Sequence, residues 1–173
     1  MGYTTEFEGR FYFLTPLSPA RTRYLQQFSQ TRRMKRDPEK ASQLPDPSRE
    51  AVGLPIGAEG GYYVGGLERW PSDESSDVLN YNEPPHGQPG LWCGWTTEDG
   101  SAIVWNGVEK FYYYVKWLRY LIEHFVEPWG CSINGEVTWQ GEDRDDLGRI
   151  VVGANKVRVF HGLIVIEYHE VDR

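Results

Sequence analysis

The sequence predicts an α+β domain in which one antiparallel sheet of six to seven strands carries two α-helices packed on one face. The order of the predicted elements supports this class: a strand and a helix, two or three strands and a second helix, then three or four strands. The last strands are short and joined by tight polar turns, which is typical of an antiparallel meander. A length of 173 residues fits a single domain over residues 1–173, with a core that needs no disulfides.

The first strand and the first helix follow from residue spacing. Residues 3–14 alternate between apolar and polar side chains, which predicts a strand with one buried face. Ser18 is a favourable N-cap and Pro19 a favourable first helical residue. The apolar stripe of this helix is formed by Tyr24, Leu25 and Phe28, with Thr31 as its continuation. Asp37 before Pro38 ends the helix, since the residue before proline avoids the helical region.

Two long irregular segments, residues 38–60 and 67–90, are rich in Pro, Ser, Gly and charge. Between them, GGYYVGG at 60–66 predicts a short strand bounded by glycines. LWCGW at 91–95 and AIVW at 102–105 predict two more strands. Loops of this length in a compact domain are usually functional or mobile, and the sequence does not decide whether these two close over a site.

The clearest helix is GVEKFYYYVKWLRYLIEHFVEPWG, residues 107–130. Its apolar face, at helical spacing, consists of Phe111, Val115, Leu118, Leu121, Ile122 and Phe125. Pro128 and Gly130 end it. Short strands are predicted after it, at INGEVTWQGE (133–142), RIVVGA (149–154), KVRVFHG (156–162) and LIVIEYHE (163–170).

A cationic cluster stands out in a chain whose formal net charge is −7. Four cations, Arg32, Arg33, Lys35 and Arg36, fall within five consecutive positions, at the last turn of the first helix or just beyond it. Guanidinium groups bind phosphate in bidentate fashion, and aromatic rings beside them suit a nucleotide base. The sequence therefore offers these cations for phosphate and Trp92 and Trp95 for stacking. An equally open interpretation is that the cluster pairs with the acidic loop around Asp73, Glu74 and Asp77.

Composition argues against several classes. A pI of about 5.1 disfavours long nucleic acid as a partner. No run approaches the roughly 18 apolar residues of a membrane span, and the first residues do not resemble a signal peptide. Two distant thiols, Cys93 and Cys131, favour a reducing, cytoplasmic location. We expect no metal and no cofactor, because no histidine pair has ligand spacing and the acidic GEDRDDLG stretch (141–148) is ordinary turn chemistry.

Aromatic side chains on the second helix predict a contact surface. Tyr113, Trp117 and Tyr120 lie together, off the main apolar stripe. We expect them either to pack under a long loop or to anchor a second chain. The near-continuous apolar run LIVIEY (163–168) also suggests a covered face, from a partner or another copy, which favours a homo-oligomer.

No catalytic motif is present: the sequence has no G-x-S-x-G elbow, P-loop, G-x-G-x-x-G or Cys-x-x-Cys. This favours a non-enzymatic binding protein for a small phosphate-bearing nucleotide. One alternative is a protein-interaction module, an inhibitor or regulator that docks an acidic partner such as a host protein. A third is a nucleotide-processing enzyme with His124 or Glu142 as its general base.

Four blocks carry a resemblance to a known family: TRRMKRD (31–37), QPGLWCGW (88–95), EKFYYYVKWLRYLIEHF (109–125) and NGEVTWQGED (134–143). The chain resembles a family of small uncharacterised bacterial and bacteriophage proteins over most of its length. Phages carry small proteins that neutralise host defence, and one class sequesters cyclic oligonucleotides or cyclic ADP-ribose derivatives. By analogy with that class, the resemblance implies a phage anti-defence sponge. It carries over no catalytic residue.

Overall fold

The structure, a computed structural model, describes residues 2–65 and 75–172. Within those residues the strands are β1 (Thr5–Phe13), β2 (Lys35–Arg36), β3 (Val78–Asn80), β4 (Trp95–Thr96), β5 (Ala102–Trp105), β6 (Ile133–Gly141), β7 (Leu147–Gly153) and β8 (Lys156–His161). The α-helices are α1 (Pro19–Gln30), α2 (Pro38–Ala41), α3 (Pro47–Ala51) and α4 (Tyr114–Leu121). A π-helical segment, Ile122–Val126, continues α4, and a 3-10 turn spans Ala58–Gly60.

The main sheet has six antiparallel strands in the order β4-β5-β1-β6-β7-β8, and β2 pairs with β3 in a separate two-stranded sheet. The predicted α+β class is therefore confirmed. β1 pairs with β6 along its whole length, from Thr5 opposite Gly141 to Phe13 opposite Ile133. This close pairing depends on Gly9, whose φ is +115° and where a Cβ would lie 2.3 Å from the Glu136 carbonyl oxygen.

Along β1 and β6, the main sheet buries one face and leaves the other open to solvent. On β1, Phe7, Phe11 and Phe13 are buried, whereas Glu6 and Glu8, on either side of Phe7, are exposed. The buried face packs on side chains of α1 and α4, namely Tyr24, Leu25, Phe28, Trp117, Leu118 and Leu121. The two predicted long helices therefore cover the same face. We call the opposite side the open face; its rows include Glu6, Glu8, Arg10 and Tyr12 of β1, Thr138 and Gln140 of β6, Arg149 of β7, and Arg158 and Phe160 of β8.

The first helix begins as its sequence predicts and ends early. Ser18 is the N-cap, and its side-chain oxygen accepts a hydrogen bond from the Arg21 backbone amide at 3.3 Å. The helix ends at Gln30, and Thr31 is already extended. The cationic cluster therefore lies just beyond the helix, in an extended segment, and not on its last turn.

The second helix is shorter than predicted. Residues 107–113 are not helical, because Tyr113 adopts a left-handed backbone conformation with φ of 58° directly before α4. Phe111 is nevertheless buried in the core from this non-helical stretch. At the other end, the Glu127 amide donates to the Ile122 carbonyl, five residues earlier, which is the π-helical pattern.

Three predicted strands are wrong, together with one predicted loop. Residues 61–65 form no strand, and Gly66 lies outside the described residues, as do 67–74 of the second irregular segment. LWCGW contributes only its last residue to a strand, β4. Residues 163–170 form no strand within the described chain. The loop predicted at 38–60 instead contains α2 and α3.

Candidate functional site

Arg33 of the cationic cluster is buried, and its hydrogen bonds join the cluster to residues 61–63 and to Gln88. Its side chain is 2% exposed. The guanidinium donates to the carbonyls of Tyr63 and Gly61, both at 2.8 Å, and to the Gln88 side-chain oxygen at 3.2 Å. It also lies over the Phe28 ring at 4.1 Å. Burial lowers the pKa of Arg33. Because it is buried and all three of its nitrogens already donate within the protein, Arg33 is not available to an incoming phosphate.

These contacts also explain the missing strand at 61–65. The carbonyls of Gly61 and Tyr63 accept from Arg33, and the Val64 amide donates to the Asp46 carboxylate at 3.3 Å. Asp46 in turn accepts from the Arg49 side chain at 2.7 Å. Side chains therefore satisfy backbone groups that a neighbouring strand would otherwise satisfy.

Arg36 is paired with an acid, as the alternative interpretation predicted. Its guanidinium forms an ion pair with Asp77, and both side chains are less than a tenth exposed. The guanidinium also lies over the Tyr63 ring at 4.4 Å. Asp73 and Glu74, the other acids of that interpretation, lie outside the described residues.

The other two members of the cluster, Lys35 and Arg32, are partly exposed. Lys35 lies 2.9 Å from Glu83 and 4.0 Å from Glu59, and its hydrogen bond with Glu83 raises the pKa of the ammonium. Arg32 donates to the Tyr81 carbonyl at 3.2 Å and lies over the Tyr81 ring at 4.1 Å. The four cations therefore do not form one open phosphate clamp, because each already has a partner in the fold.

The two tryptophans predicted to stack on a base, Trp92 and Trp95, differ in burial. Trp95 is 1% exposed and packs edge-on against Phe7, Phe11 and Phe111 at 5.3–5.6 Å between ring centroids. Its indole N–H donates to the Tyr114 carbonyl at 2.8 Å. Trp95 is thus a core residue, which corrects its predicted role. Trp92 is exposed over about a third of its surface.

The predicted aromatic surface of α4 is likewise mostly core. Trp117 is fully buried and Tyr120 nearly so, whereas Tyr113 is 56% exposed. Both buried rings contact Phe28 of α1, at 6.0 and 6.1 Å between centroids. α4 therefore has a second buried side that faces α1 as well as the side that faces the sheet. Only Tyr113 of the three presents its ring to solvent.

A different site, which the sequence analysis missed, lies on the sheet. A cavity of about 830 Å³ is lined by β1, β5, β6, β7 and β8. Across four adjacent strands, one row of paired residues runs through it: Glu8 opposite Thr138, Thr138 opposite Arg149, and Arg149 opposite Phe160. These residues belong to the open face, since Glu8, Thr138 and Arg149 are exposed. The signal in the sequence was the alternation in GRIVV (148–152) and KVRVF (156–160). It places Arg149 on the polar side of β7, and Arg158 and Phe160 on the polar side of β8.

The charges of this site are exposed and loosely held. The Arg149 guanidinium lies 3.6 Å from Glu136, in a pair about half exposed on both sides. Arg149 and Arg158 both lie 5.0 Å from the centroid of the Phe160 ring. The cavity thus brings together the Phe160 ring, the exposed guanidinium of Arg149, the Thr138 hydroxyl and two carboxylates, those of Glu6 and Glu8. Such a set can stack on a planar ring, bind an anion and accept from hydroxyl groups.

Both residues of the enzymatic alternative already have hydrogen-bond partners within the chain. The His124 ring forms a hydrogen bond with the Tyr62 hydroxyl at 2.8 Å and stacks on Tyr120 at 4.1 Å. Burial lowers the pKa of His124. Glu142 accepts from the Thr4 backbone amide at 2.6 Å. Burial raises the pKa of the Cys93 thiol to about 12, so that group is not a nucleophile near neutral pH.

In the part of the chain that the structure describes, no group of three or more His, Cys, Asp and Glu side chains is placed to hold a metal ion. Across the same residues, helices long and apolar enough to cross a bilayer are absent. No protein-family model matches the chain, and no curated protein and no solved structure matches it.

Proposed function

We propose that this protein is a non-enzymatic binding protein for a small phosphate-bearing nucleotide, and that the nucleotide binds on the open face of the sheet. The observation that carries the proposal is the 830 Å³ cavity with Arg149 and Phe160 in its lining. Cavities of roughly 300–1,000 Å³ are the usual size for small-molecule sites. This location replaces the cationic cluster, in which Arg33 and Arg36 are buried and each of the four cations already has a partner in the fold.

Each group of the cavity has a role in this proposal. The base stacks on the ring of Phe160, and the phosphate pairs with Arg149, whose exposed pair with Glu136 is weak enough to exchange. The Thr138 hydroxyl donates to the phosphate or the base. The carboxylate of Glu8 accepts hydrogen bonds from ribose hydroxyl groups. Its negative charge repels phosphate and so limits the number of phosphate groups that the site can bind.

The resemblance to bacteriophage proteins guides the choice of ligands. Cyclic oligonucleotides and cyclic ADP-ribose derivatives carry both a base and phosphate, which the cavity chemistry requires. Sequestration of such a signal, as an anti-defence sponge does, needs binding and no turnover. The proposal places this activity in the cytoplasm, where the two free thiols stay reduced.

Isothermal titration calorimetry with a panel of these nucleotides tests the proposal. We expect Phe160→Ala and Arg149→Gln each to weaken binding about tenfold or more, since one stacked base is worth about 1–3 kcal/mol. Arg10→Gln is the matched control, because Arg10 lies on the open face outside the cavity lining and pairs with Glu98. Ligand recovered chemically intact after denaturation supports binding without turnover.

Two results would overturn the site or the function. Loss of binding in Arg32→Ala and Lys35→Ala, with Phe160→Ala unaffected, would place the ligand at the cationic cluster. Binding of no nucleotide in the panel would reject the function itself and favour the alternative of a module that docks an acidic protein.

A further inference from the structure

The segment that follows β8 exposes a run of apolar side chains. Leu163 is 86% exposed and Tyr168 is 90% exposed, and between them Ile164, Val165 and Ile166 are also exposed. The last backbone hydrogen bond that ties this region to the sheet is from the Gly162 amide to the Leu147 carbonyl, at 2.7 Å. Exposed β-branched and aromatic residues of this density are typical of a strand that lacks its partner.

The strand immediately before this segment has a free edge. β8 pairs with β7 on one side, and within residues 2–65 and 75–172 no strand pairs with its other side. Val159 on β8 is 44% exposed. An open edge offers a row of unpaired amides and carbonyls that readily pairs with an added strand. The molecule therefore carries an unpaired strand-forming segment and an unpaired edge next to each other in sequence.

We propose that two copies of this chain pair through these features, with residues 156–168 of each copy running antiparallel to the same residues of the other about a two-fold axis near Gly162. Residues 163–168 of one copy lie beside β8 of the second, and the pairing is reciprocal. The two lengths match, because β8 has six residues and the added segment also has six. The result joins two six-stranded sheets into one continuous sheet.

Charge complementarity identifies a second copy as the occupant. β8 carries Lys156 and Arg158 and no acid. Residues 163–172 carry Glu167, Glu170 and Asp172 and no Lys or Arg. Like charges therefore do not meet when the segment of one copy lies on the strand of the other, as an isologous interface requires.

The register follows from the axis. With Gly162 opposite its own equivalent, Phe160 lies opposite Ile164 and Arg158 lies opposite Ile166. Lys156 then lies opposite Tyr168 and diagonal to Glu170, within reach of its carboxylate. Phe160 and Ile164 share the open face, so the second copy adds an apolar wall beside the cavity. The pairing is argued from the edge and the segment alone and does not rest on the proposed nucleotide.

Sedimentation equilibrium of the full chain tests the proposal. We expect a mass twice the 20.0 kDa of one chain, and a return to the single-chain mass in the variant Ile164→Glu/Ile166→Glu. Leu79→Glu is the matched control, since Leu79, at 63%, is about as exposed as Ile166, at 61%, but lies on β3, outside the main sheet. It stays dimeric. Circular dichroism confirms that each variant is folded.

A full chain that stays at the single-chain mass at every concentration tested overturns the proposal. A dimer that persists in Ile164→Glu/Ile166→Glu also overturns it, because the contact then lies elsewhere. The register has its own test in a Cys131→Ser background. Phe160→Cys/Ile164→Cys forms a disulfide-linked dimer on oxidation, whereas Phe160→Cys alone does not. Equal cross-linking in both variants rejects this register.

Discussion

The cationic cluster and the open face use the same kind of residue in opposite ways. In the cluster, Arg33 and Arg36 are nearly fully buried, and their guanidinium groups hold carbonyls, a carboxylate and aromatic rings of the protein. On the open face, Arg10 and Arg149 are about half exposed and pair with Glu98 and Glu136 at 3.3 and 3.6 Å. The cluster is dense along the chain, whereas the open face collects its cations from separate strands.

The difference shows that a cation is able to bind a ligand when its side chain is exposed and weakly paired. The number of cations close together in the sequence does not decide this. An exposed ion pair contributes about 0–1 kcal/mol, so its cation exchanges partners at little cost. A buried guanidinium cannot leave its acceptors without stranding them away from water, at about 1–3 kcal/mol for each group. The cluster therefore stabilises residues 59–63 and 77–91, which it contacts, whereas the cations of the open face remain exposed to solvent.

The largest effect that sharpens this comparison is expected at Arg33. Arg33→Ala lowers the free energy of unfolding by about 4 kcal/mol or more, because three acceptors lose their donor. Chemical denaturation measures this loss. Arg33→Lys is the control: it keeps the charge but lacks the planar fork, so a large part of the loss remains. A stable Arg33→Ala protein that no longer binds nucleotide would contradict this comparison, because Arg33 would then serve ligand binding and not stability.

A smaller loss is expected at the ion pair between Arg36 and Asp77. Arg36→Met lowers the free energy of unfolding by about 3 kcal/mol, because the Asp77 carboxylate is left buried without its partner. In Arg36→Met/Asp77→Leu, which has no unpaired charge, we expect part of that loss to return. Denaturation of both single variants and the double variant gives the coupling energy. Strictly additive losses would contradict a specific pair.

The smallest effect is expected on the open face. Arg149→Gln changes the free energy of unfolding by less than about 0.5 kcal/mol, as is usual for an exposed side chain. Thermal denaturation checks this value, with Arg10→Gln beside it as a second exposed site. A loss greater than about 1 kcal/mol for Arg149→Gln would mean that this guanidinium is structural, like those of the cluster, and would weaken the proposed site.

Residue spacing and capping within a short stretch of sequence predicted the elements that depend only on residues close together in the chain. The alternation over 3–14 gave β1 with its buried Phe7 and Phe11, and Ser18 gave the start of α1. The helical spacing of Phe111, Leu118 and Phe125 identified buried side chains even though the helix itself begins later. Burial of an apolar face is readable because it depends on periodicity within one element.

Local rules failed where a distant side chain replaced a neighbouring strand or helix. The GGYYV backbone is held by Arg33 and Asp46, so it needs no strand partner. Trp117 and Tyr120 are core because α1 covers a second side of α4, which spacing on α4 alone cannot reveal. The run after β8 has the composition of a strand but no adjacent strand in the described chain.

The sequence by itself determined the α+β class, the strand and helix that begin the chain, and which stripe of the second helix is apolar, since each is set by spacing and capping within a few residues. Only the tertiary structure decided which charges are available. Pairing between Arg36 and Asp77 joins residues 41 apart, and the open-face row from Glu8 to Phe160 spans most of the chain. Such contacts depend on strand order and helix packing, which the local pattern of residues does not encode.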